Sequence, residues 1–441
     1  MSHMDSFDSE KLGKNEHMRE ALVLASKVQS AEGIVGELCW SDDPDYTIGY
    51  VACNGVYHRI PNMKGIGSNL GGRVFFVKPN IDLEGCPIDA VRVKRNDKEY
   101  LMMASNNYLG LTFDERVIEG AIKGAQQYGT GSGGSRLVSG TFPLFTDLER
   151  ELAKFKNTEK ALVFNTGYMA NVGTISAIAD KNMTIFSDEL NHASIIDGCR
   201  LSKATVKAYS HCDVEKLKCL LKQVDRNARK LIVTDGVFSM DGDIAPLDKL
   251  YELSREYNAL LMVDDAHATG TIGNGHGTAA YYGLEKEVDI QLGTLSKSLG
   301  SVGGYVAANS TIIDYLVNMS RSFIFSTALS PADIGAALAA LHVLESDTSV
   351  LRRLQNNVNY MADCLNSIGI CATNDTPIFP ILIGSNEDTL TVSNYLYNAG
   401  IIGTAIRPPT VPVGESRIRL TVTAAHNKEQ IDYVCRTLDK A

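Results

Sequence analysis

The sequence predicts an α/β fold with a mostly parallel central sheet, helices on both of its faces and a smaller C-terminal α/β unit. From about residue 100, short β-rich runs alternate with helical stretches, as in strands joined by crossover helices. Residues 259–263 are continuously apolar and are followed by two acids, which is typical of a strand buried on both faces. In sheets of this kind, functional residues are expected where strands end.

The elements follow one another in a regular order. Strands are predicted at 161–164, 184–187, 230–234, 259–264 and 288–293, and helices at 169–179, 192–202 and 247–257. After about residue 340, helices at 350–367, 389–399 and 428–438 alternate with strands at 378–383 and 417–422. This pattern predicts a smaller α/β unit at the C-terminal end of the chain.

The first hundred residues have a different pattern. Residues 5–32 are predicted to form a polar helix, and the Gly-rich stretch that follows has short β-type runs at 48–52, 73–77 and 90–93. We therefore expect a helix and a small β-rich extension over 5–98. An N-terminal arm is expected over 99–145, a large domain over 146–340 and a small domain over 341–441.

Composition excludes several classes of function. The 441 residues carry a formal net charge of −10, with a pI of about 5.5, whereas nucleic-acid binding requires a basic face. No apolar run is long enough for a transmembrane segment. The nine cysteines form no CxxC pair, so we expect neither a disulfide framework nor a metal site. A cytoplasmic location fits this cysteine usage.

The chemistry is concentrated at two strand-to-loop transitions. An apolar strand ends in Asp264, His267 follows three residues later, and Lys297 lies in the small-residue segment Gly293–Gly300. Pyridoxal phosphate requires a lysine for a Schiff base, an acid that keeps the pyridine nitrogen protonated, and a phosphate site. Alone, each residue has an ordinary explanation as a turn, a cap or a solvated charge. Together they predict this cofactor on Lys297, with Asp264 at the nitrogen and His267 at the ring hydroxyl.

Other motifs supply the remaining parts of such a site. The segment Asn165–Tyr168 lies between a strand and a helix, where Gly167 and a helix N-terminus suit a phosphate, and Thr294 could add a hydroxyl. A plain strand–helix turn is the alternative. His192 could stack on the cofactor ring or simply begin a helix, and Ser239 could bind the cofactor through its hydroxyl. The loop Gly129–Arg136 could hold an anion or be flexible.

The chain resembles the α-oxoamine synthases over residues 100–441. These enzymes have the aspartate aminotransferase-like fold type I of pyridoxal-phosphate-dependent transferases. The resemblance is carried, in family order, by Ser105–Gly110, Gly131–Gly140, Asn191–Ser194, Asp235–Asp243, Val263–His267, Thr294–Lys297, Phe325–Thr327 and Arg407–Pro412.

The resemblance implies a role for each matching residue. Lys297 would form the Schiff base and move protons, His192 would stack on the ring, Asp264 would pair with the ring nitrogen, and His267 and Ser239 would contact the hydroxyl side. The phosphate would be held by Gly167, Tyr168 and Thr294, and by Ser326 and Thr327 of a homodimer partner. The substrates would be bound by Asn106, Ser135, Arg407, Thr410 and Arg419; Arg419 suits a carboxylate because a guanidinium binds one bidentately.

The implied reaction is a decarboxylative condensation of a small amino acid with an acyl thioester, carried by CoA or by an acyl-carrier protein. The segment Arg407–Pro412 is most similar to the 8-amino-7-oxononanoate synthase branch. Glycine C-acetyltransferase and serine palmitoyltransferase activities remain alternatives, as does another pyridoxal-phosphate reaction on the same fold. An inactive paralogue that serves as a scaffold is the alternative of another class.

Overall fold

The structure, a computed structural model, describes residues 85–95, 97–408 and 410–441, and the backbone of three strands before them. The chain divides into two compact units, Met1–Gly85 and Cys86–Ala441. In the first unit, β1 (Leu38–Trp40), β2 (Gly49–Cys53) and β3 (Val56–Ile60) form an antiparallel sheet in that order. The predicted helix over 5–32 and the predicted strand over 73–77 lie outside the described residues.

The second unit begins with β4 (Cys86–Pro87), β5 (Arg92–Arg95) and β6 (Lys98–Met102), which pair in an antiparallel manner. The pairing of β5 with β6 crosses the division that the sequence suggested after residue 98, so these strands belong to the second unit. The divisions proposed at 145 and 340 stay predictions.

A seven-stranded sheet forms the centre of the second unit. Its order is β7-β13-β12-β11-β10-β8-β9, and every neighbouring pair is parallel except those that involve β13. The strands are β7 (Lys160–Phe164), β8 (Met183–Asp188), β9 (Thr205–Tyr209), β10 (Arg229–Asp235), β11 (Leu260–Asp264), β12 (Ile290–Thr294) and β13 (Gly304–Ala308). The mostly parallel sheet predicted from the sequence is confirmed.

Helices cover this sheet, and two clusters of buried apolar side chains lie among these helices and strands. They are α1 (Glu115–Tyr128), α2 (Pro143–Phe155), α3 (Gly167–Ile178), α4 (Ala193–Ser202), α5 (Val214–Leu221), α6 (Leu247–Glu256), α7 (Thr278–Tyr281), α8 (Ser310–Met319) and α9 (Arg321–Ile324). Short 3-10 turns lie at Leu111–Phe113 and Gly273–Gly275. Helix α3 begins shortly after the carboxyl end of β7, at Gly167, where the sequence predicted a phosphate site.

The C-terminal part adds α10 (Pro331–Ser346), α11 (Thr348–Ser367), β14 (Ile378–Gly384), α12 (Asn386–Asn398), β15 (Ile401–Ile402), β16 (Thr404–Ile406), β17 (Ser416–Thr421) and α13 (Lys428–Leu438). Strands β14, β17 and β16 form an antiparallel sheet, and β15 joins β6 in parallel. Every residue of β17 is buried, including Arg417 and Arg419, so its arginines require internal partners.

Among the described residues, no single helix meets the length and hydropathy criteria for a membrane span. Helices α10 and α11, which meet at a bend of 78°, satisfy the length and hydropathy criteria only when taken together. Both helices contribute buried side chains such as Leu341 and Leu354 to the largest apolar cluster.

Candidate active site

The carboxyl ends of the parallel strands form one edge of the sheet, and the polar residues lie there. In the register of the sheet, Asp235 at the end of β10 is level with Asp264 at the end of β11, which is level with Leu292 in β12. Thr294 ends β12, and Lys297 follows in the next loop. The fold therefore gathers residues that are far apart in the sequence, as the strand pattern predicted.

Lys297 is held beside His267 at this edge. Its Nζ lies 2.6 Å from Nε2 of His267, and the other ring nitrogen, Nδ1, lies 2.7 Å from the hydroxyl of Tyr108. Burial lowers the pKa of Lys297 to about 8, although the Asp264 and Asp235 carboxylates oppose that change. Burial also lowers the pKa of His267 well below its ordinary value. Above pH 8 the pair is therefore a neutral amine next to a neutral imidazole.

The direction of the protons follows from the third partner. Nη2 of Arg419 donates to the Tyr108 oxygen at 3.4 Å, so the phenol keeps its own hydrogen for another acceptor. That acceptor is Oδ1 of Asn106 at 3.1 Å, an oxygen that has no hydrogen of its own to offer. Nδ1 of His267 then donates to the Tyr108 oxygen, and Nε2 is left as an acceptor that faces the Lys297 amine.

A second chain of hydrogen bonds surrounds Asp264. Its Oδ2 accepts from Nδ2 of Asn171 at 2.6 Å, and its Oδ1 accepts from the backbone N–H of Ala266 at 2.9 Å. The Asn171 amide also reaches Oγ of Ser194, which lies 2.7 Å from Nδ1 of His192. These donors are neutral, and burial raises the pKa of Asp264. A cationic ring nitrogen is the kind of partner that such a buried carboxylate favours.

The N-terminus of α3 offers an anion site near Lys297. Thr166 caps the helix by accepting from the N–H of Met169, whereas the N–H groups of Gly167 and Tyr168 form no hydrogen bond within the described part of the chain. A Cβ added to Gly167 would lie 3.4 Å from Cβ of Thr294, so helix and strand end are in close contact. Free N–H groups, the helix dipole and a nearby hydroxyl together suit a phosphate.

The backbone of Thr327 is fixed next to this site. Nδ2 of Asn165 donates to the carbonyl of Thr327 at 2.5 Å, and Thr327 forms an antiparallel bridge with Ser135. The predicted residues Ser135 and Thr327 are thus brought together, with Thr327 exposed. Whether Ser326 and Thr327 act across a subunit boundary stays a prediction.

Arg419 is buried, and hydrogen bonds through Tyr108 and His267 connect its guanidinium to Lys297. Its Nη2 donates to Oδ1 of Asn106 at 3.1 Å, and its Nε donates to the backbone carbonyl of Ser239 at 2.5 Å. Asn106, Arg419 and the Ser239 loop therefore meet, and the substrate and cofactor roles that the resemblance implied for them stay predictions. Ser239 joins the cluster through its main chain.

Three predicted residues take other positions. Arg407 is half-buried and Thr410 is exposed; both belong to a turn closed by the Thr410 N–H and the Arg407 carbonyl, 3.0 Å apart. Among the described residues, neither side chain forms a hydrogen bond with the lysine cluster. The Tyr168 hydroxyl donates to Asp197 on α4, so only the Tyr168 backbone is at the anion site.

Several contributors were not singled out from the sequence. Tyr108, Asn171 and Asp235 are buried, and Asp235 accepts the backbone N–H of His192 at 2.7 Å. Tyr108 falls within the Ser105–Gly110 motif, which was a usable signal. Asn171 lies in the second turn of an apolar helix, and its role depends on a contact with Asp264 that no local pattern reveals.

The residues of this site fit pyridoxal phosphate. They provide an amine of lowered pKa, a buried carboxylate for the ring nitrogen, the imidazoles of His192 and His267, and free N–H donors for the phosphate. The fit rests on side chains from β11, α3 and the loop after β12.

Comparison with known proteins agrees with this geometry. Residues 98–438 match the aminotransferase class I and II family, and residues 2–91 match the 6-carboxyhexanoate–CoA ligase family. The chain is 49% identical over 350 residues to an 8-amino-7-oxononanoate synthase of Lysinibacillus sphaericus, covering 79% of this chain and 90% of that protein. It is 50% identical over 338 residues to the synthase of Geobacter metallireducens, covering 76% and 86%.

A solved structure shares the fold. Serine palmitoyltransferase of S. paucimobilis, with pyridoxal phosphate and myriocin bound, matches with a TM-score of 0.78 and 32% identity, covering 80% of this chain and 90% of that one. The family, the fold type and the cofactor predicted from the sequence are therefore confirmed. The chain belongs to the aminotransferase class I and II family, as a pyridoxal-phosphate-dependent acyltransferase of the α-oxoamine synthase group.

Proposed function

We propose that the enzyme condenses L-alanine with 6-carboxyhexanoyl-CoA to give 8-amino-7-oxononanoate, carbon dioxide and free CoA. The observation that carries the proposal is the occurrence, in one chain, of a synthase region and a region similar to a 6-carboxyhexanoate–CoA ligase. A ligase of that name makes a CoA thioester of a dicarboxylic acid. A synthase needs such a thioester as its acyl donor.

The carbon skeleton supports the same pair of substrates. In 8-amino-7-oxononanoate, the bond between the ketone carbon and the amine-bearing carbon separates a seven-carbon acyl group from a two-carbon fragment. The seven-carbon part is 6-carboxyhexanoyl, and the two-carbon part is alanine without its carboxyl group. The new carbon–carbon bond replaces the thioester bond, CoA leaves as the thiol, and the alanine carboxyl leaves as carbon dioxide.

The residues of the site divide the work. Arg419 and Asn106 are placed to bind the carboxylate of the amino acid, because the guanidinium is already fixed by two oxygen acceptors. Bound pyridoxal phosphate supplies an electron sink for negative charge at the substrate α-carbon. Lys297, with its pKa near 8, is placed to take and return the α-proton as a neutral amine. Asp264 would stabilise positive charge at the ring nitrogen of the bound cofactor.

A homodimer with shared active sites is part of this proposal. Phe325 is 71% exposed and Val138 is 83% exposed, and they lie close in sequence to Thr327 and Ser135, the two residues of the bridge beside the anion site. Exposed apolar side chains next to a functional loop are typical of a subunit interface. Sedimentation should give twice the chain mass. Mixing Lys297→Ala subunits with subunits that carry Thr327→Asp should restore part of the lost activity if sites are shared.

Serine palmitoyltransferase-like activity is the second candidate, because the solved serine palmitoyltransferase has the same fold over 80% of this chain. The test is a panel of alanine, glycine and serine against acetyl, 6-carboxyhexanoyl and palmitoyl thioesters, each on CoA and on an acyl-carrier protein. Alanine with 6-carboxyhexanoyl-CoA should give the highest kcat/KM for thiol release, by at least about tenfold. Preference for serine with palmitoyl-CoA, or for glycine with acetyl-CoA, would overturn the proposal. Lys297→Ala serves as the inactive control.

A further inference from the structure

A cluster outside the lysine site holds the loop on which Arg419 depends. His211 lies in the turn after β9, with Nδ1 3.1 Å from Oδ1 of Asp188 and Nε2 2.8 Å from Oδ2 of Asp243. Asp188 ends β8, and Asp243 ends the Asp235–Asp243 segment that follows β10. His211 is therefore a bridge between the main sheet and that segment.

The bridge requires the charged form of the imidazole. Both ring nitrogens face carboxylate oxygens, which have no hydrogen to offer at neutral pH, so both nitrogens must donate. Burial lowers the pKa of His211, but the hydrogen bonds to Asp188 and Asp243 outweigh it and raise the pKa to about 12. Asp188 is itself fixed, because its Oδ2 accepts the N–H of Cys212 at 2.8 Å.

The cluster does not favour a metal ion. Asp188, His211 and Cys212 carry ligand-type atoms that lie near one another. Both ring nitrogens of His211 face carboxylate oxygens, so a metal would have to displace a hydrogen-bonded proton from one of them. The geometry fits a doubly paired imidazolium better.

The Asp235–Asp243 segment also contacts Arg419, through the backbone of Ser239. The N–H of Phe238 bonds the carbonyl of Asp243 at 3.0 Å, and the N–H of Gly242 bonds the carbonyl of Phe238 at 2.8 Å, which closes a tight turn. Ser239 is at that turn, and its carbonyl accepts from Nε of Arg419. The edge of the His211 ring packs on Phe238, with centroids 4.4 Å apart and planes at 86°.

We propose that His211 is a positioning residue for the amino-acid substrate: its bridge between Asp188 and Asp243 fixes the Phe238–Asp243 turn, and the Ser239 carbonyl of that turn orients the guanidinium of Arg419. The proposal rests on the function proposed above, because it takes Arg419 as the group that binds the substrate carboxylate. This role differs from a general packing role in the substrate that it affects. The affinity for the amino acid should fall, and the affinity for the acyl thioester should not.

The test is His211→Gln in the holoenzyme. Glutamine can bond one carboxylate but cannot donate in two opposite directions, so one link of the bridge is lost. We expect the KM for alanine to rise roughly tenfold, the size of one lost charge-assisted hydrogen bond, while kcat and the KM for the thioester change less than about threefold. The dissociation constant for alanine, read from the absorbance of the bound cofactor without any thioester, should rise by the same factor.

Matched variants separate positioning from folding. His342→Gln changes an exposed histidine of α10 and should alter none of these values. Asp243→Asn keeps an oxygen acceptor and should recover part of the alanine affinity lost in Asp243→Ala. The double variant His211→Gln with Asp243→Ala should bind alanine no worse than the single variants, since both remove the same link.

The outcomes are distinct. A His211→Gln enzyme whose melting temperature and active-site content fall, but whose alanine KM and dissociation constant stay within twofold, would overturn the proposal in favour of a purely structural role. Additive losses in the double variant would also overturn it. If the wild-type enzyme releases no CoA with alanine and 6-carboxyhexanoyl-CoA, the proposed function fails, while the spectroscopic binding comparison still decides the role of His211.

Discussion

Lys156 and Lys297 differ in their chemistry because of the group that each one faces. Lys156 is fully buried, and its Nζ lies 2.6 Å from Oδ2 of the equally buried Asp265. Lys297 instead has its Nζ 2.6 Å from the imidazole of His267. Burial alone would lower the pKa of Lys156, but the charge of Asp265 outweighs it and raises that pKa, whereas the pKa of Lys297 falls to about 8.

The contrast comes from two adjacent acids. Asp264 and Asp265 follow each other at the end of β11, where successive side chains point in opposite directions. Asp265 accepts from Lys156 and from the N–H of Thr278, and so completes an internal ion pair. Asp264 accepts from neutral amides instead. One acid thus serves stability, and its neighbour is available to the cofactor.

Lys297→Ala is expected to have the largest effect, because no other described side chain can replace its amine at the Schiff-base position. Turnover should fall by at least about 10³-fold, in the upper part of the range for loss of a proton-transferring group. The absorbance of the Schiff base should disappear. Since the variant removes a cation of unfavourable burial, its free energy of unfolding without cofactor should be unchanged or higher. Retained absorbance and turnover would contradict the assignment.

Lys156→Met tests the other lysine and should have the reverse profile. It leaves Asp265 buried without its cation, which costs about 3–5 kcal/mol in the free energy of unfolding. Urea denaturation measures this loss. The fraction that remains folded should still form the Schiff base, because Lys297 is untouched.

The double variant Lys156→Met with Asp265→Asn provides the control. Removing both charges should recover more than half of the lost stability, because the unpaired buried charge is the main cost. If the double variant is no more stable than Lys156→Met, the loss comes from packing rather than from charge.

The next effect is expected in the pH dependence of pyridoxal phosphate capture, which reports the lowered pKa of Lys297. Lys297 must be neutral to attack an aldehyde, and its pKa is lowered from 10.5 to about 8. The rate of pyridoxal phosphate capture by the cofactor-free protein should therefore rise about tenfold per pH unit below 8 and level off above it. A lysine with an unshifted pKa would be on the order of 100-fold slower at pH 8, with a rise that continues to about pH 10.5. Stopped-flow absorbance distinguishes the two curves, with Lys297→Ala as the blank.

The sign of the linked stability effect follows from the same shift. Between pH 8 and 10.5 the unfolded chain keeps the proton on Lys297 and the folded chain does not, so stability rises with pH in this window. Below pH 8 both forms are protonated, and the burial of the charge opposes folding. In Lys297→Ala this rise between pH 8 and 10.5 should be absent.

The sequence predicted which residues lie at the carboxyl edge of the sheet better than it predicted the contacts between their side chains. Strands over 259–264 and 288–293 were predicted from apolar runs, and their parallel arrangement implied that their carboxyl ends would meet. Strand β13 (Gly304–Ala308) was missed because its glycine and alanines resemble a loop, and it pairs in the opposite direction to its neighbours. Strand β9 was missed as well, since its residues are largely exposed at the edge of the sheet.

Partners that are distant in the chain could not be predicted. The phenol of Tyr108 meets His267 across 159 residues, and the Asn171 amide meets Asp264 across 93. The opposite pKa shifts of Lys156 and Lys297 depend on such contacts, because burial acts on both in the same direction. Residue type and spacing identified the reactive lysine through its motif, but not the reason for its reactivity.

Tyr108→Phe is the most sensitive way to examine that reason and should have the smallest effect. The variant removes the acceptor for the Nδ1–H of His267, while Arg419 keeps its bonds to Asn106 and to the Ser239 carbonyl. The KM for alanine should therefore change less than about threefold, whereas kcat should fall roughly fivefold, as expected for one neutral hydrogen bond. Because the imidazole hydrogen is no longer confined to Nδ1, Nε2 is a weaker acceptor for the protonated form of Lys297, and that form loses stability. The rise of the capture rate should then move to a lower pH than in the wild-type protein. This profile is the reverse of the one expected for His211→Gln, which raises the KM and spares kcat. An unchanged capture profile in Tyr108→Phe would show that the phenol does not influence the pKa of Lys297 and does not direct the imidazole hydrogen.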